Sequence, residues 1–370
     1  MRLKPLPVIL ALIIGLFLFA VLFVGISYFR YSSDGAVLNY IRGHRNDVAI
    51  ACLDPAEPDA GLYHNADEAY PLASTFKLVL LAAYAQEVAA GRMDPQEEIP
   101  LAELDRYYLP GTDGEAHPQF LGSLGEGRES LTLSEVADGM IIYSSNAAAD
   151  YMGARLQGID FADLYRRLGV EHTDLPFSYL GLYLFMTNHE TGLYADEDIT
   201  LQEARAEQQR LEKLFVTDAD WRAAEIDFLR SLSNFAPLEV QRAVVTKYGM
   251  AGSARDLTQI MLAAYGYNDN VPAAAQEVMR RHLEWPIRLN PENGKVFEAL
   301  ASKSGAWPGV LTSAWYAQPL GDGRPRVLSV LYRDLPDDFW NAWVVSFSHQ
   351  KLEAGVLIRS DCSILSQALQ

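Results

Sequence analysis

The chain is poor in cysteine, short of basic residues relative to acidic ones, and free of the close spacings that bind metals. Cys52 and Cys362 are its two cysteines, too few for a zinc cage by themselves, and no HExxH or CxxC string accompanies the seven histidines. No metal or other cofactor is therefore expected. Lysine and arginine total 30 against 48 aspartates and glutamates, a formal charge of -18 with an isoelectric point near 4.8, and the basic residues nowhere form a run. A nucleic-acid partner is disfavoured, because phosphate contacts need a concentrated cationic face. Apolar residues make up 49% of the 370, enough to bury a core in one large domain or two ordinary ones.

One apolar run stands apart. From Val8 to Phe29 about 22 residues carry no charge, enough at about 1.5 Å per residue to cross a hydrocarbon layer of roughly 30 Å. It reads as an N-terminal transmembrane helix, with residues 1–30 as a membrane anchor and 31–370 as the body. A cleaved signal peptide is the rival, with Gly25-Ile26-Ser27 as a weak small-x-small site, but the run exceeds the roughly 7–15 apolar residues usual there. Arg2 and Lys4 on one side, against Arg30, Arg42 and Arg45 on the other, leave the charge rule for orientation nearly balanced. If the body lies outside the cytoplasm, Cys52 and Cys362 can close a disulfide between its two ends; as buried thiols they would act as small hydrophobes. Both readings stand.

Residues 31 to 45 read as a short helix, Asp47 to Asp54 as a buried strand, and Gly61 to His64 as a second strand. Ser74 opens a long apolar helical segment that ends near Gly91. A further helix starts where Thr132 and Glu135 have capping-box spacing, and another opens at SSNAAADYMGARL. Residues 186–246 read as an acidic helical insert: between Asn188 and Arg230 the composition shifts, and DEDITLQEARAEQQRLEKLF and DADWRAAEIDFLRSL carry helix periodicity and read as a helical pair, with a solvated surface addition as the rival. A helix over Ala254 to Tyr265 follows, then three strand patterns, with Gly321-Asp322-Gly323 as a turn and a terminal helix from about Asp337. The order predicts an α/β (α+β) body: an antiparallel sheet lobe built from both chain ends and flanked by terminal helices, with an all-α lobe threaded between them.

Three short strings carry the chemistry. In Ser74-Thr75-Phe76-Lys77, positions i and i+3 share a helix face, so the lysine can reach a hydroxyl that itself lies near unpaired first-turn N–H groups. Taken alone, a helix cap explains Ser74 equally well. Tyr143-Ser144-Ser145-Asn146 falls at a junction between helices, where such residues also serve as caps. Lys303-Ser304-Gly305 lies in a strand pattern, its glycine permitting close backbone approach by a ligand. In the order S-x-x-K, S-x-N, K-S-G the three resemble the motifs of the penicillin-recognising serine hydrolases, the class A β-lactamases and DD-peptidases. The likeness covers most of residues 35 to 360, through DVAIACLD, GMIIYSSNAAADYM and ASKSGAWPGV, with 186–246 as the main exception.

The resemblance implies a sheet lobe, an all-α lobe and a cleft between them, in a domain that works outside the cytoplasm. It implies Ser74 as the acylated nucleophile, Lys77 as a base with a lowered pKa, Ser144 as the proton relay to the leaving nitrogen, and Asn146 as the group that orients Lys77 and the substrate amide. The backbone N–H groups of Ser74 and Ala306 would form an oxyanion hole, while Lys303 and Ser304, before Gly305, would attract a substrate carboxylate. Ser145 stands where the family often has aspartate, and the E-x-x-L-N stretch that supplies the deacylating glutamate in class A enzymes has no counterpart in VEHTDLPFSYLGLYLFMTNHETG. Glu171, Asp174 and Glu190 are the nearest carboxylates there, and no deacylation base is assigned. Tyr107 and Tyr108 are candidates to line the cleft, although packing is the commoner fate of such residues. The implied activity is acyl transfer from a β-lactam or related amide. The alternatives are a DD-carboxypeptidase or transpeptidase acting on D-Ala-D-Ala-type peptides, and a catalytically silent membrane-anchored binding module.

Overall fold

The computed structural model of the protein describes residues 30–194, 199–321 and 323–370, so the apolar run at 8–29 and Asp322 of the expected turn lie outside the described residues. Among the described residues no helix is long and apolar enough to cross a membrane. Helix α1 (Asp34–Gly43) begins where the Ser33 hydroxyl accepts the Ala36 N–H, and strands β1 (Val48–Leu53) and β2 (Leu62–His64) follow. Helix α2 (Lys77–Ala89) is buried on nearly every side, as expected of a helix apolar all round. Next come α3 (Asn146–Arg155), α4 (Tyr179–Met186), α5 (Leu201–Thr217), α6 (Ala219–Phe228) and α7 (Leu238–Tyr248), then α8 (Ala254–Ala264) and α9 (Ala273–Leu283). Strands β3 (Phe297–Trp307), β4 (Val310–Pro319) and β5 (Arg326–Tyr332) precede α10 (Asp337–Ser346), α11 (Ser348–Arg359) and α12 (Ser363–Ala368).

The five strands form one antiparallel sheet in the order β2-β1-β5-β4-β3, so the first strand of the body pairs with the last, Val48 opposite Tyr332 and Leu53 opposite Val327. Strand periodicity sorts the side chains. Val48, Ile50 and Cys52 pack on one face with Val37, Trp343 and Leu352 of the terminal helices, while Ala49, Ala51 and Leu53 join the core that runs through α8, α2 and α3. Both faces are covered, which is why β1 reads as an unbroken apolar run rather than an alternating one. Cys52 and Cys362 are joined by a disulfide, tying β1 to the start of α12.

The insert carries the expected helical pair, as α5 and α6, but it is not a solvated addition. It contributes three long helices, α5 to α7, with a core of its own: Ala204, Leu211 and Phe215 of α5 bury against Leu184 and Phe185 of α4 and against Trp307 of β3. The buried residues of α5 recur at helical spacing between exposed polar ones such as Glu203, Gln209, Arg210 and Lys213, so a polar composition concealed a packing face. The terminal helix expected from Asp337 is broken at Phe347, which takes a left-handed conformation between α10 and α11.

Candidate active site

Ser74 does not sit inside α2 but in a 3-10 turn, Ala73–Phe76, that leads into it. Ala73 has φ of +46°, a left-handed conformation that costs a non-glycine residue about 1–3 kcal/mol and must be held by its surroundings. The holding contacts are visible: the Tyr179 hydroxyl donates to the Ala73 carbonyl at 2.9 Å, and the hydroxyls of Thr75 and Thr312 donate to the Leu72 carbonyl at 2.7 and 2.8 Å. Thr312 belongs to β4, so the sheet fixes the turn that presents the serine.

The second string is also set by strained backbone. The helix Leu133–Asp138 opens with the expected capping box between Thr132 and Glu135 and then widens into a π-helical turn, Gly139–Tyr143. Ser144 follows in the left-handed region with φ of +67°, and the Ser145 hydroxyl caps α3 by accepting from Ala148 N–H at 3.1 Å. Ser145 also contacts His117 Nδ1 at 2.9 Å, which anchors the junction to the neighbouring loop.

The third string lies on the edge strand β3. Gly305 is glycine for a reason other than ligand approach: a Cβ there would stand 2.5 Å from Thr312 Oγ1 and 2.6 Å from the Ser74 backbone nitrogen. The backbone that comes close is the turn that carries Ser74. Ala306, one residue on, is exposed.

These three segments converge. Lys77 Nζ lies 2.9 Å from Ser74 Oγ, 2.6 Å from the Ser144 carbonyl and 2.7 Å from Asn146 Oδ1. Lys303 Nζ donates to Ser144 Oγ at 2.9 Å and to the Ser304 carbonyl at 2.8 Å, and Ser144 Oγ stands 3.3 Å from Lys77 Nζ. Both lysines are sealed from water. Burial lowers Lys77 to about 7, against the pull of Asp150 and Asp113; burial and then the Lys77 charge push Lys303 well below the ordinary lysine range. Lys77 Nζ thus donates to three acceptors, Ser74 Oγ, Ser144 O and Asn146 Oδ1; in the neutral form that a pKa of about 7 makes accessible, two N–H groups can keep the last two and the lone pair can face Ser74.

Ser74, Ser144 and Asn146 line a cleft of about 430 Å³ whose other wall includes Ser304, Gly305 and Ala306. Lys77 and Lys303 lie directly beneath this cleft, hydrogen-bonded to the residues that line it. Residues 35–338 match the beta-lactamase enzyme family. The chain belongs to that family. No curated protein matches it. Among solved structures, the beta-lactamase from Sphaerobacter thermophilus is 17% identical with a TM-score of 0.52, over 86% of this chain and 95% of that one. A mutant of PBP-A, solved as its acyl-enzyme complex with penicillin G, is 15% identical with a TM-score of 0.52 over 86% and 94%. An ancestral (GNCA) class A beta-lactamase is 17% identical with a TM-score of 0.50 over 88% and 99%. At these identities the likeness is one of fold.

Within this beta-lactamase family member, the segment lacking the E-x-x-L-N string forms helix α4, and its first residue is one that the sequence did not single out. The Tyr179 ring lies 4.5 Å from Lys77 Nζ, and its N–H and that of Leu180 donate to the Asp150 carboxylate, each at 2.8 Å. Burial raises the pKa of Asp150, and Glu212 of the insert, which faces it, is raised to about 7 by the same cause. Glu171 is exposed, Asp174 pairs with Arg205 and accepts from Ala251 N–H, and Glu190 is taken by Arg210 and Trp221. None of the three lines the cleft. Tyr107 and Tyr108 do not line it either: Tyr107 packs edge-on against Tyr151, and Tyr108 lies against His117.

Proposed function

We propose that this chain is an extracytoplasmic serine hydrolase, held to a membrane by its apolar segment 8–29, that is acylated at Ser74 by a β-lactam or related amide. One observation carries the reading: an amine poised to be neutral, 2.9 Å from a hydroxyl that opens into a cleft. Lys77 takes the Ser74 proton as Oγ attacks the carbonyl carbon, and the oxyanion is held by the N–H groups of Ser74 and Ala306. The C–N bond then breaks. Ser144, bonded to Lys303, passes its proton to the leaving nitrogen and recovers one from Lys77, 3.3 Å away, so that Lys77 is neutral again and an ester remains on Ser74. Asn146 orients Lys77 and the substrate amide, and Lys303 with Ser304 draws the substrate carboxylate to the β3 wall.

A second reading is favoured by the surroundings of Lys77. Among the described residues no carboxylate hydrogen-bonds to Ser74 or Lys77, and the Tyr179 ring covers one side of the amine. An ester formed there has no evident base to activate water, which suits a DD-carboxypeptidase or transpeptidase that stays acylated by penicillin better than a rapid β-lactamase. Incubating the full chain with a fluorescent penicillin and following adduct mass over time separates the two. A stable adduct, with D-Ala released from a muropeptide, favours the peptidase, and fast turnover favours the β-lactamase. Ser74→Ala should abolish the adduct; persistence of labelling in that variant, or none in the wild type, refutes the acyl-enzyme reading.

A further inference from the structure

The apolar run at 8–29 stops where the described chain begins, and the residues that follow it are fixed to the body at once. Tyr31 is held on α10: the Trp343 indole N–H donates to its carbonyl at 2.9 Å, its ring lies 4.7 Å from Phe339, and its hydroxyl stands 3.5 Å from Asp338. Two residues of chain reach at most about 7 Å, and the headgroup layer beside the hydrocarbon is roughly 5–8 Å deep. With 8–29 across the hydrocarbon, α10 lies in that layer or directly on it.

The same helix is a wall of the cleft. Trp340, Val344 and Phe347 recur at helical spacing and line it together with Trp307 and Pro308 at the end of β3, in the one cavity that also holds Ser74. This stripe is open to solvent: Phe347 is 54% exposed, Trp340 and Val344 are half-buried, and the neighbouring Val345 is 69% exposed. Aromatic and aliphatic side chains left in water beside a membrane span have the composition of an interfacial surface. Charge does not supply the attraction, since the chain carries a net -18 and Asp337 at the start of α10 is paired with Arg242. The contact is therefore apolar, and salt should not dislodge it.

We infer that α10 rests on the bilayer surface and that the cleft takes its substrate from there: an amide carried by the membrane, its polar head at Ser74 and its apolar chain along Trp340, Val344 and Phe347. This rests on the membrane-anchored acyl-enzyme reading above. It names a substrate class, lipid-borne amides, in place of amides dissolved in the surrounding water.

Two measurements on the full chain in phosphatidylcholine vesicles test it. Because Cys52 and Cys362 are bonded to each other, Val345→Cys supplies a single thiol for a fluorescent label, and Asp269→Cys supplies one at an exposed position after α8, on the other side of the sheet. Phosphatidylcholine bearing a headgroup nitroxide should quench the label at 345 by roughly half, at low and high salt alike, and leave the label at 269 nearly unchanged. Acylation of Ser74 is then compared for two penicillins that differ only in the side-chain acyl group, acetyl or hexadecanoyl. The hexadecanoyl compound should lead by on the order of tenfold, and a helical spacer of EAAAK repeats about 20 Å long, inserted between Phe29 and Arg30, should abolish most of that lead without slowing the acetyl compound. Equal quenching at the two positions, or a lead that the spacer does not reduce, overturns the inference while labelling of Ser74 leaves the acyl-enzyme reading intact. If the chain washes off the vesicles, the anchor and the inference fall together; if neither penicillin labels Ser74, the acyl-enzyme reading falls and takes the substrate class with it.

Discussion

Helix α3 carries two polar groups one turn apart, half-buried Asn146 and buried Asp150, and they serve opposite ends. Asn146 reaches Lys77 and a cleft; Asp150 reaches the backbone of α4 and faces Glu212 at a second cavity of about 650 Å³. Both clusters hold titratable groups whose pKa values are displaced by burial, and the second cavity is the roomier. The difference lies in what the displaced group can act upon. Beside Lys77 stands a hydroxyl on a strained turn, whereas beside Asp150 stand two amide N–H groups already satisfied. Perturbed acidity marks both places, but a hydroxyl within reach marks one. The two are also linked, since Asp150 caps the helix whose first residue lies over Lys77.

The sharpest way to break the comparison is Lys77→Met, which should slow acylation of Ser74 on the order of a thousandfold if the amine is the base. Labelling by a fluorescent penicillin measures it, and a loss under tenfold would place the base elsewhere. Next is the pH profile. With Lys77 lowered to about 7, its neutral, proton-accepting form is depleted as pH falls, so the acylation rate should drop about tenfold per pH unit on the acid side of 7 and level off above it. A limb near the ordinary lysine value of about 10.4 would show that burial does not free the base.

The smallest effect concerns the carboxylate pair. Glu212 is raised to about 7 in the folded chain against roughly 4.3 when unfolded, so the fold favours its protonated form and stability is lost as pH rises from the lower value through the higher. The protein should melt at a lower temperature at about pH 8 than at about pH 5, by on the order of 1–2 kcal/mol after allowance for partial exposure. Glu212→Gln should remove most of that difference and leave acylation of Ser74 intact. A large change in acylation would mean that the second cluster takes part in the chemistry after all.

Much of this site was legible in the chain because its parts are local. Ser74 and Lys77 are three residues apart, Thr132 and Glu135 form the capping box their spacing predicts, and the strands announce themselves by apolar runs between turns. What stayed hidden depends on distant packing. The left-handed backbone at Ala73 and Ser144 has no glycine to announce it, and the contact of Tyr179 with Lys77 joins segments a hundred residues apart. The open question of the two cysteines was of the same kind, since only the pairing of Leu53 with Val327 brings the first strand beside the last helices. In the insert the helical pair was legible from periodicity, and what stayed hidden is the buried face of Ala204, Leu211 and Phe215, few among many polar residues, that decides how α5 packs.

The pairing of β1 with β5 reaches into the life history of the molecule. Strand β1 is made long before β5, its neighbour in the sheet, and Thr312, which steadies the turn at Ser74, also comes late in the order of synthesis. A nascent or clipped chain that stops short of Thr312 therefore has Ser74 without the β4 contact that holds its turn. Competence should come as a single late event rather than by degrees, and the bridge between Cys52 and Cys362 locks the door after it.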